Sequence, residues 1–367
     1  MGNGFEPSRL TIARKRRSLS KKVLAERAGV SARMLTDYEN GVAEPSPSTM
    51  CNLAGALEYP EAFFAGPPIE ELTVDAVSFR ALTKMKAAQR DAALSSGAMA
   101  VSLHRWIRSR FALPATNVPS LPDCNDPEVA AELVRQAWGI GQRPIPNMVH
   151  LLEAHGVRVF TLSEKCVEVD AYSCWVDDEA FVFLNTQKSG ERSRMDAAHE
   201  LGHLVMHRLR ESPQGRDAER EAKAFASAFL MPRDDVISVM QDYPTPDLDE
   251  LVRLKLRWQV SVAALVYRLN RLGLLTEWHN RNLWIAMSAA EMRSREPEEI
   301  SRETSQVLRK VFEALRADGT GIGDLARQLM VPTDELSSLL VGLVLVPVSG
   351  TGASGTSQGT SPRLRLV

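Results

Sequence analysis

The sequence predicts a mainly helical α+β protein with a small antiparallel sheet. Three observations carry this. Apolar residues recur at helical spacing through most of the chain. Runs rich in β-branched and aromatic residues are confined to the stretch between Val157 and Leu184. A length of 367 residues exceeds one ordinary core and points to about two or three domains. At 44% hydrophobic and 25% charged, the composition is that of a soluble globular protein. No apolar run reaches the length of a membrane span, and no apolar stretch of signal-peptide type follows the basic start. Cys51, Cys124, Cys166 and Cys174 show no CxxC spacing, so free thiols in a reducing cytoplasm are expected.

From Ser20 to Gly41 the chain reads as helix, turn, helix. Lys21 to Ala28 is a short helix with Leu24 and Ala25 inward. Gly29 makes the turn and Val30 plugs it. Ser31 is a good N-cap for the next helix, which ends at Asn40-Gly41. A further helix, Ser48 to Leu57, begins after Pro45 and Pro47 and closes a small bundle. Between Ser8 and Arg33, nine lysines and arginines stand against one acid, Glu26, on a chain of net charge −2. Such a concentration predicts phosphate contacts. The stretch LAERAGVSARMLTDYENG resembles the helix-turn-helix of the XRE/Cro repressor family, whose second helix enters the major groove. The resemblance implies that Ser31, Ala32, Arg33, Thr36 and Asp37 face the bases, with Arg33 reading guanine. Lys21 and Lys22 are expected on phosphates. A double-stranded DNA operator and a homodimer are the expected partners.

Pro67-Pro68 ends this module. Residues 69–112 read as a helical connector and candidate dimerisation element, with a weak point at Ser95-Ser96-Gly97. Its phrase SFRAL is similar to a segment of fused regulators of this type. Pro114, Pro119 and Pro122 mark a linker. Helices follow at Glu128 to Trp138 and Pro146 to His155. Gly156 then leads into a strand with Val157, Val159 and Thr161 inward. Val169 to Trp175 and Ala180 to Leu184 give two more strands. Cys174, between Tyr172 and Trp175, reads as strand packing.

The segment Arg192 to Arg208 reads as a helix and contains His199-Glu200-Leu201-Gly202-His203, the pattern HExxH. Four residues apart on a helix, His199 and His203 share one face and can grip one zinc ion. Glu200 beside them is placed as general base toward water activated by such an ion. His207 continues the spacing. On a continuous helix, however, it lies about 12 Å along the axis from His199, too far for one ion. It reads as a packing or substrate-side residue. A third ligand is needed. The helix from Asp217 to Met231, stopped by Pro232, buries Ala222, Phe225, Ala226 and Phe229. Glu219 shares that face and Glu221 does not, so Glu219 is the expected ligand.

RMDAAHELGHLVMH, then EREAKAFASAFLMP, and upstream VDAYSCWVDDEAFVFLN together resemble the ImmA/IrrE zinc metallopeptidases. The resemblance implies a small zincin-like domain with His199, His203 and Glu219 on Zn2+ and Glu200 as catalytic base. It also implies a repressor-type protein substrate whose cleavage controls stress or mobile-element genes. One position departs: the family carries Asn or Asp where this chain has Lys223, which implies a lost contact behind the ligands.

The segment SVAALVYRLNRLGLL is an amphipathic helix ending at Gly273, similar to the segment that follows the zinc domain in fused regulators. GIGDLARQLMVPTDELSSLLVGL is faintly like a second helix-turn-helix. With three acids and one Arg it reads as a packing module. The expected organisation is a DNA-binding domain at 1–66, a connector and linker at 67–123 and a peptidase domain at 124–240. A helical region at 241–347 and a disordered tail at 348–367 complete it. Two function classes follow. One is a DNA-binding regulator carrying an active zinc endopeptidase. The other is a non-catalytic zinc-containing regulator, a sensor or antitoxin-like repressor. Glu200 favours the first, because a structural site needs no base beside its ligands.

Overall fold

The computed structural model describes residues 4–73, 86–162, 170–208, 215–292 and 296–344. The expectations for the tail at 348–367, for Cys166 and for the SFRAL phrase lie outside these residues. Four helices open the chain: α1 (Pro7–Arg16), α2 (Lys21–Ala28), α3 (Ala32–Glu39) and α4 (Pro47–Leu57). Serine caps set three of their starts. The hydroxyls of Ser20, Ser31 and Ser46 accept from the N–H of Val23, Met34 and Thr49. Leu10, Ile12, Leu24, Leu35, Leu53 and Leu57 are fully buried and form the shared core.

Next comes α5 (Ala87–Arg108), one unbroken helix. The expected weak point at Ser95-Ser96-Gly97 is instead where this helix presses on the sheet. A Cβ on Gly97 would sit 2.3 Å from the Tyr172 hydroxyl. That hydroxyl donates to the carbonyl of Ala93 at 3.0 Å. Small residues here serve close approach. The proline-rich linker is likewise packed down, with Asn117 N–H on His155 O and Leu121 N–H on Val205 O.

Two helices, α6 (Pro127–Ala137) and α7 (Met148–Ala154), lead into β1 (Arg158–Thr161), β2 (Ala171–Val176) and β3 (Glu179–Leu184). The α+β class stands, but the sheet is mixed. Its order is β1-β3-β2, with β1 parallel to β3 and β2 antiparallel to it. The reason is local. Asp177 and Asp178, both at positive φ, make a tight hairpin that folds β3 back beside β2. β3 thus lies between β2 and β1. Nor does β1 alternate as expected: all four of its residues are buried. A strand covered on both sides loses its polar face.

After the sheet come α8 (Gly190–Met206), α9 (Arg216–Leu230), α10 (Arg233–Met240), α11 (Leu248–Trp258), α12 (Val262–Arg271) and α13 (Glu277–Ala289). On one face of the sheet, Tyr172, Phe181 and Phe183 meet α5, through Gly97 and His104. On the other, Ser173 meets α8. Residues 296–305 run along the start of α8, where Glu191 accepts from Lys255 Nζ and from the N–H of Ile300, both at 3.1 Å. Last come α14 (Gln306–Ala317), α15 (Ile322–Leu329) and α16 (Thr333–Ser338). The end of this module bonds β1 through Thr161 N–H on Leu339 O, and it meets α1 through Glu335. Among the described residues no helix is long and apolar enough to cross a membrane.

Candidate metal centre and nucleic-acid interface

Helix α8 carries His199 and His203 one turn apart, and α9 crosses against it. Gly202 permits that approach. A Cβ there would lie 3.1 Å from the Phe225 ring and 3.2 Å from Ala222 Cα. The close contact brings Glu219, at the start of α9, over the two imidazoles. His199 Nε2 and His203 Nε2 are 3.1 Å apart. The two Glu219 oxygens lie 3.4 Å from one and the other. A tetrahedral ion with bonds of about 2.0–2.1 Å spaces its ligand atoms about 3.3 Å apart. The three side chains therefore fit one face of such a shell. His199 and Glu219 keep 21% and 16% of their side-chain surface exposed, so the cluster reaches solvent.

The electrostatics agree. Burial pulls the His199 pKa down, yet the Glu219 hydrogen bond and the charges of Glu200, Glu219 and Asp196 outweigh it and leave it raised. Burial would raise the Glu219 carboxyl, but His199 and His203 hold it well below the usual carboxylate range. The two shifts are one interaction seen from both sides: imidazole and carboxylate each stabilise the charged form of the other.

Glu200 faces a different neighbour. It is only 2% exposed, and its Oε2 accepts from the Ser173 hydroxyl at 2.7 Å. The strand pattern gave no hint of Ser173, because alternation fixes a face and not a partner on the next element. Cys174 is buried, and by alternation it shares the α5 face with Tyr172, away from the metal helix. Lys223 is exposed, its ammonium 4.7 Å from the ring centre of Tyr267 on α12. His207 stands outside the three-residue cluster, as expected of a packing residue. It caps the end of α8 rather than continuing it, and its Nδ1 lies 2.9 Å from His203 Nδ1. It sits against His203, behind a candidate ligand.

In the N-terminal bundle, Lys22, Ser31, Ala32 and Arg33 are exposed, while Lys21, Thr36 and Asp37 are half-buried. Ser31 is engaged as the cap of α3, and the Thr36 hydroxyl donates to Ala32 O at 3.0 Å. Lys21 Nζ is 3.2 Å from Glu39. Met34 and Val42, 39% and 75% exposed, are apolar residues on and just after α3 that the sequence reading passed over. The signal was there: neither belongs to the run of buried positions, Leu35 and Tyr38.

The basic concentration does not form one face. Arg9 bonds the carbonyls of Phe63 and Pro67, Arg14 pairs with Glu39, and Lys15 pairs with Glu71. Arg16 and Arg17 both bind Glu335. These five cations are spent on the fold, leaving Lys22, Arg27 and Arg33 exposed on α2 and α3.

Residues 10–64 match the helix-turn-helix family model, and residues 152–270 match that of the M78 peptidases, the IrrE N-terminal-like domain. The chain fuses these two domains. A search of curated proteins gave no match. The IrrE-like match contains His199, His203 and Glu219, and the helix-turn-helix match contains α2 and α3. The IrrE-like domain is of metallopeptidase type, and its His/Glu cluster is a group able to hold a metal ion.

Proposed function

We propose that this chain is a DNA-binding transcriptional regulator whose IrrE-like domain is a zinc-dependent endopeptidase acting on a protein, with a repressor as the favoured substrate. The observation that carries the catalytic half is Glu200. A structural site has no use for a buried carboxylate adjacent in sequence to two convergent imidazoles. Here one is present and oriented by Ser173.

His199, His203 and Glu219 would hold zinc, with the two imidazoles and the carboxylate meeting its preference for nitrogen and oxygen ligands. When bound, the ion polarises a carbonyl and lowers the pKa of water. Glu200 takes a proton through its carboxylate and passes it on to the leaving amine. Ser173 donates to one carboxylate oxygen and so orients Glu200 for that transfer. The helix-turn-helix domain presents Arg33 and the cap of α3 to the major groove of an operator, as a homodimer, with Lys22 on a phosphate. The reading places the protein in the cytoplasm.

The test is induction in cells of the intact chain beside Glu200→Gln. The expected result is at least one protein cleaved only with the intact chain, with operator binding equal in both. Identical protein profiles in the two would overturn the catalytic reading in favour of a metal-containing sensor.

A further inference from the structure

We propose that His207 and Glu221 are positioning residues that fix the tautomer and ring orientation of His203 for its metal; this rests on the metal reading above. Three histidines follow one another at four-residue spacing, but they do not act alike. The Nε2 atoms of His199 and His203 converge with Glu219. His207 instead meets the far side of the His203 ring, Nδ1 to Nδ1 at 2.9 Å. Its own Nε2 lies 3.2 Å from Glu221 Oε2.

Proton accounting leaves one arrangement. A ring nitrogen that binds a metal carries no proton, so neutral His203 must hold its proton on Nδ1. That N–H needs an acceptor, and His207 Nδ1 is within hydrogen-bond distance. His207 can accept there only with its own proton on Nε2, where the Glu221 carboxylate accepts it. Every donor along this line meets an acceptor, and the line ends on a negative charge. The opposite assignment puts a proton on His203 Nε2, between His199 and Glu219, where an ion would sit.

The elements explain how the line is built. His207 can turn back because it stands at the end of α8, as its C-cap. Glu219 and Glu221 lie two residues apart at the start of α9 and so point to different sides of the helix. One reaches the ligand cluster and the other reaches behind it. The three groups are mostly buried, with 7%, 11% and 18% of the His203, His207 and Glu221 side chains exposed. Water competes poorly for the bonds between them. Contacts of this kind behind a metal-binding histidine orient the ring and strengthen it as a donor, and their loss typically costs about 10–100-fold in metal affinity.

The experiment is a chelator-competition titration of the full chain with Zn2+ and, separately, Co2+, following the visible absorption of the cobalt form. His207→Leu and Glu221→Leu are each expected to weaken zinc binding by about 10–100-fold and to shift the cobalt bands. His207→Asn places an amide oxygen near the position of Nδ1 and should restore most of the affinity that Leu loses. His199→Ala removes a ligand and should abolish tight binding outright. Wild-type affinity and an unshifted cobalt spectrum in both His207→Leu and Glu221→Leu would overturn the proposal while leaving the metal site standing. So would equal weakening by His207→Leu and His207→Asn, since packing alone would then explain it. A wild-type chain that binds neither ion would overturn the metal reading and this proposal together.

Discussion

Arg16 and Glu335, 319 positions apart in sequence, meet in a buried ion pair: Arg16 Nε donates to Glu335 Oε2 at 2.8 Å. Both side chains are 3% exposed. Arg17 binds the other oxygen of the same carboxylate at 2.8 Å. One acid of the last helical module therefore holds two cations at the end of α1, and the same module bonds β1 through Leu339. The helix-turn-helix bundle and the sheet beside the metal helix are thus tied to one another through residues 335–341.

Removing one partner of a buried pair leaves the other charge uncompensated. Glu335→Ala is expected to destabilise the chain by about 3–5 kcal/mol. Exposed Arg27→Ala should stay within about 0.5 kcal/mol. Denaturant unfolding of both variants checks this. Similar midpoints for the two would mean that the carboxylate contributes no more than a surface charge.

DNA binding should follow exposure, not the local density of charge. Arg33→Ala is expected to cost about 1–3 kcal/mol on the operator and to relax specificity at one base pair. Lys22→Ala should weaken binding to every sequence and reduce the salt slope by about one. Arg17→Gln should leave the slope unchanged, because Arg17 is held by Glu335 and the carbonyl of Leu57. Anisotropy titrations at several salt concentrations separate the three. A reduced slope for Arg17→Gln would return that residue to the phosphate contacts.

His104 gives the fold an acid limit. It is buried under the sheet, and its Nε2 lies 2.9 Å from Glu179, which also binds Arg158 and Arg108. Burial lowers its pKa below 6.5 and outweighs the pull of Glu179, so the neutral ring donates its N–H. In the unfolded chain the ring takes up a proton below about pH 6.5, while the folded ring takes one up only at lower pH. The unfolded state then binds more protons, and stability falls as the pH is lowered, by up to about 1.4 kcal/mol per unit. His150 and His155, also lowered by burial, add to that slope in any variant that keeps them. His104→Gln keeps a donor for Glu179 and does not titrate, so its stability should fall less between pH 7 and pH 5. Parallel stability curves for the two proteins would exclude the assignment.

What the sequence revealed was local. Ser31 caps where the residue pattern places it, because a cap is a contact over three residues. The HExxH spacing set His199 and His203 on one face for the same reason, and the buried stripe of α9 placed Glu219 with them. The misses were all tertiary. A count of charge between Ser8 and Arg33 cannot show that Glu335 consumes two of those cations. The residues around Gly97 look like a helix break until Tyr172 is seen against them. Helical rise keeps His207 off the ion, but its contact with Glu221 depends on where α8 stops and on the next helix.

The packing of α8 on α9 depends on the missing side chain of Gly202. A methyl there would press on Phe225 and Ala222 at 3.1–3.2 Å, so Gly202→Ala requires a shift of a few tenths of an ångström. Gly202→Val adds two more carbons and should cost about 1–3 kcal/mol by overpacking. Because Glu219 rides on α9, the same displacement should weaken zinc binding in Gly202→Val more than in Gly202→Ala. Thermal unfolding with and without Zn2+ measures both effects. Equal zinc-induced stabilisation in wild type and Gly202→Val would show that the helix spacing does not set the Glu219 position.

Ser173 offers a way to separate positioning of the base from assembly of the site. Its hydroxyl donates to Glu200 Oε2, and Ser173 is not itself one of the cluster His199, His203 and Glu219. A hydrogen bond to a charged group is worth about 1.5–3 kcal/mol. If that energy is lost from the productive orientation of Glu200, Ser173→Ala should slow cleavage by roughly ten- to hundredfold. Zinc affinity should stay near wild type, because the ligand geometry is untouched. Ser173→Thr keeps the hydroxyl and should recover much of the rate. The measurement is the appearance of the Glu200-dependent cleavage product after induction, set beside zinc content. A Ser173→Ala chain that cleaves at the wild-type rate would show that Glu200 is oriented by its own helix alone, and parallel losses of zinc and cleavage would mean that Ser173 supports the site as a whole rather than its base.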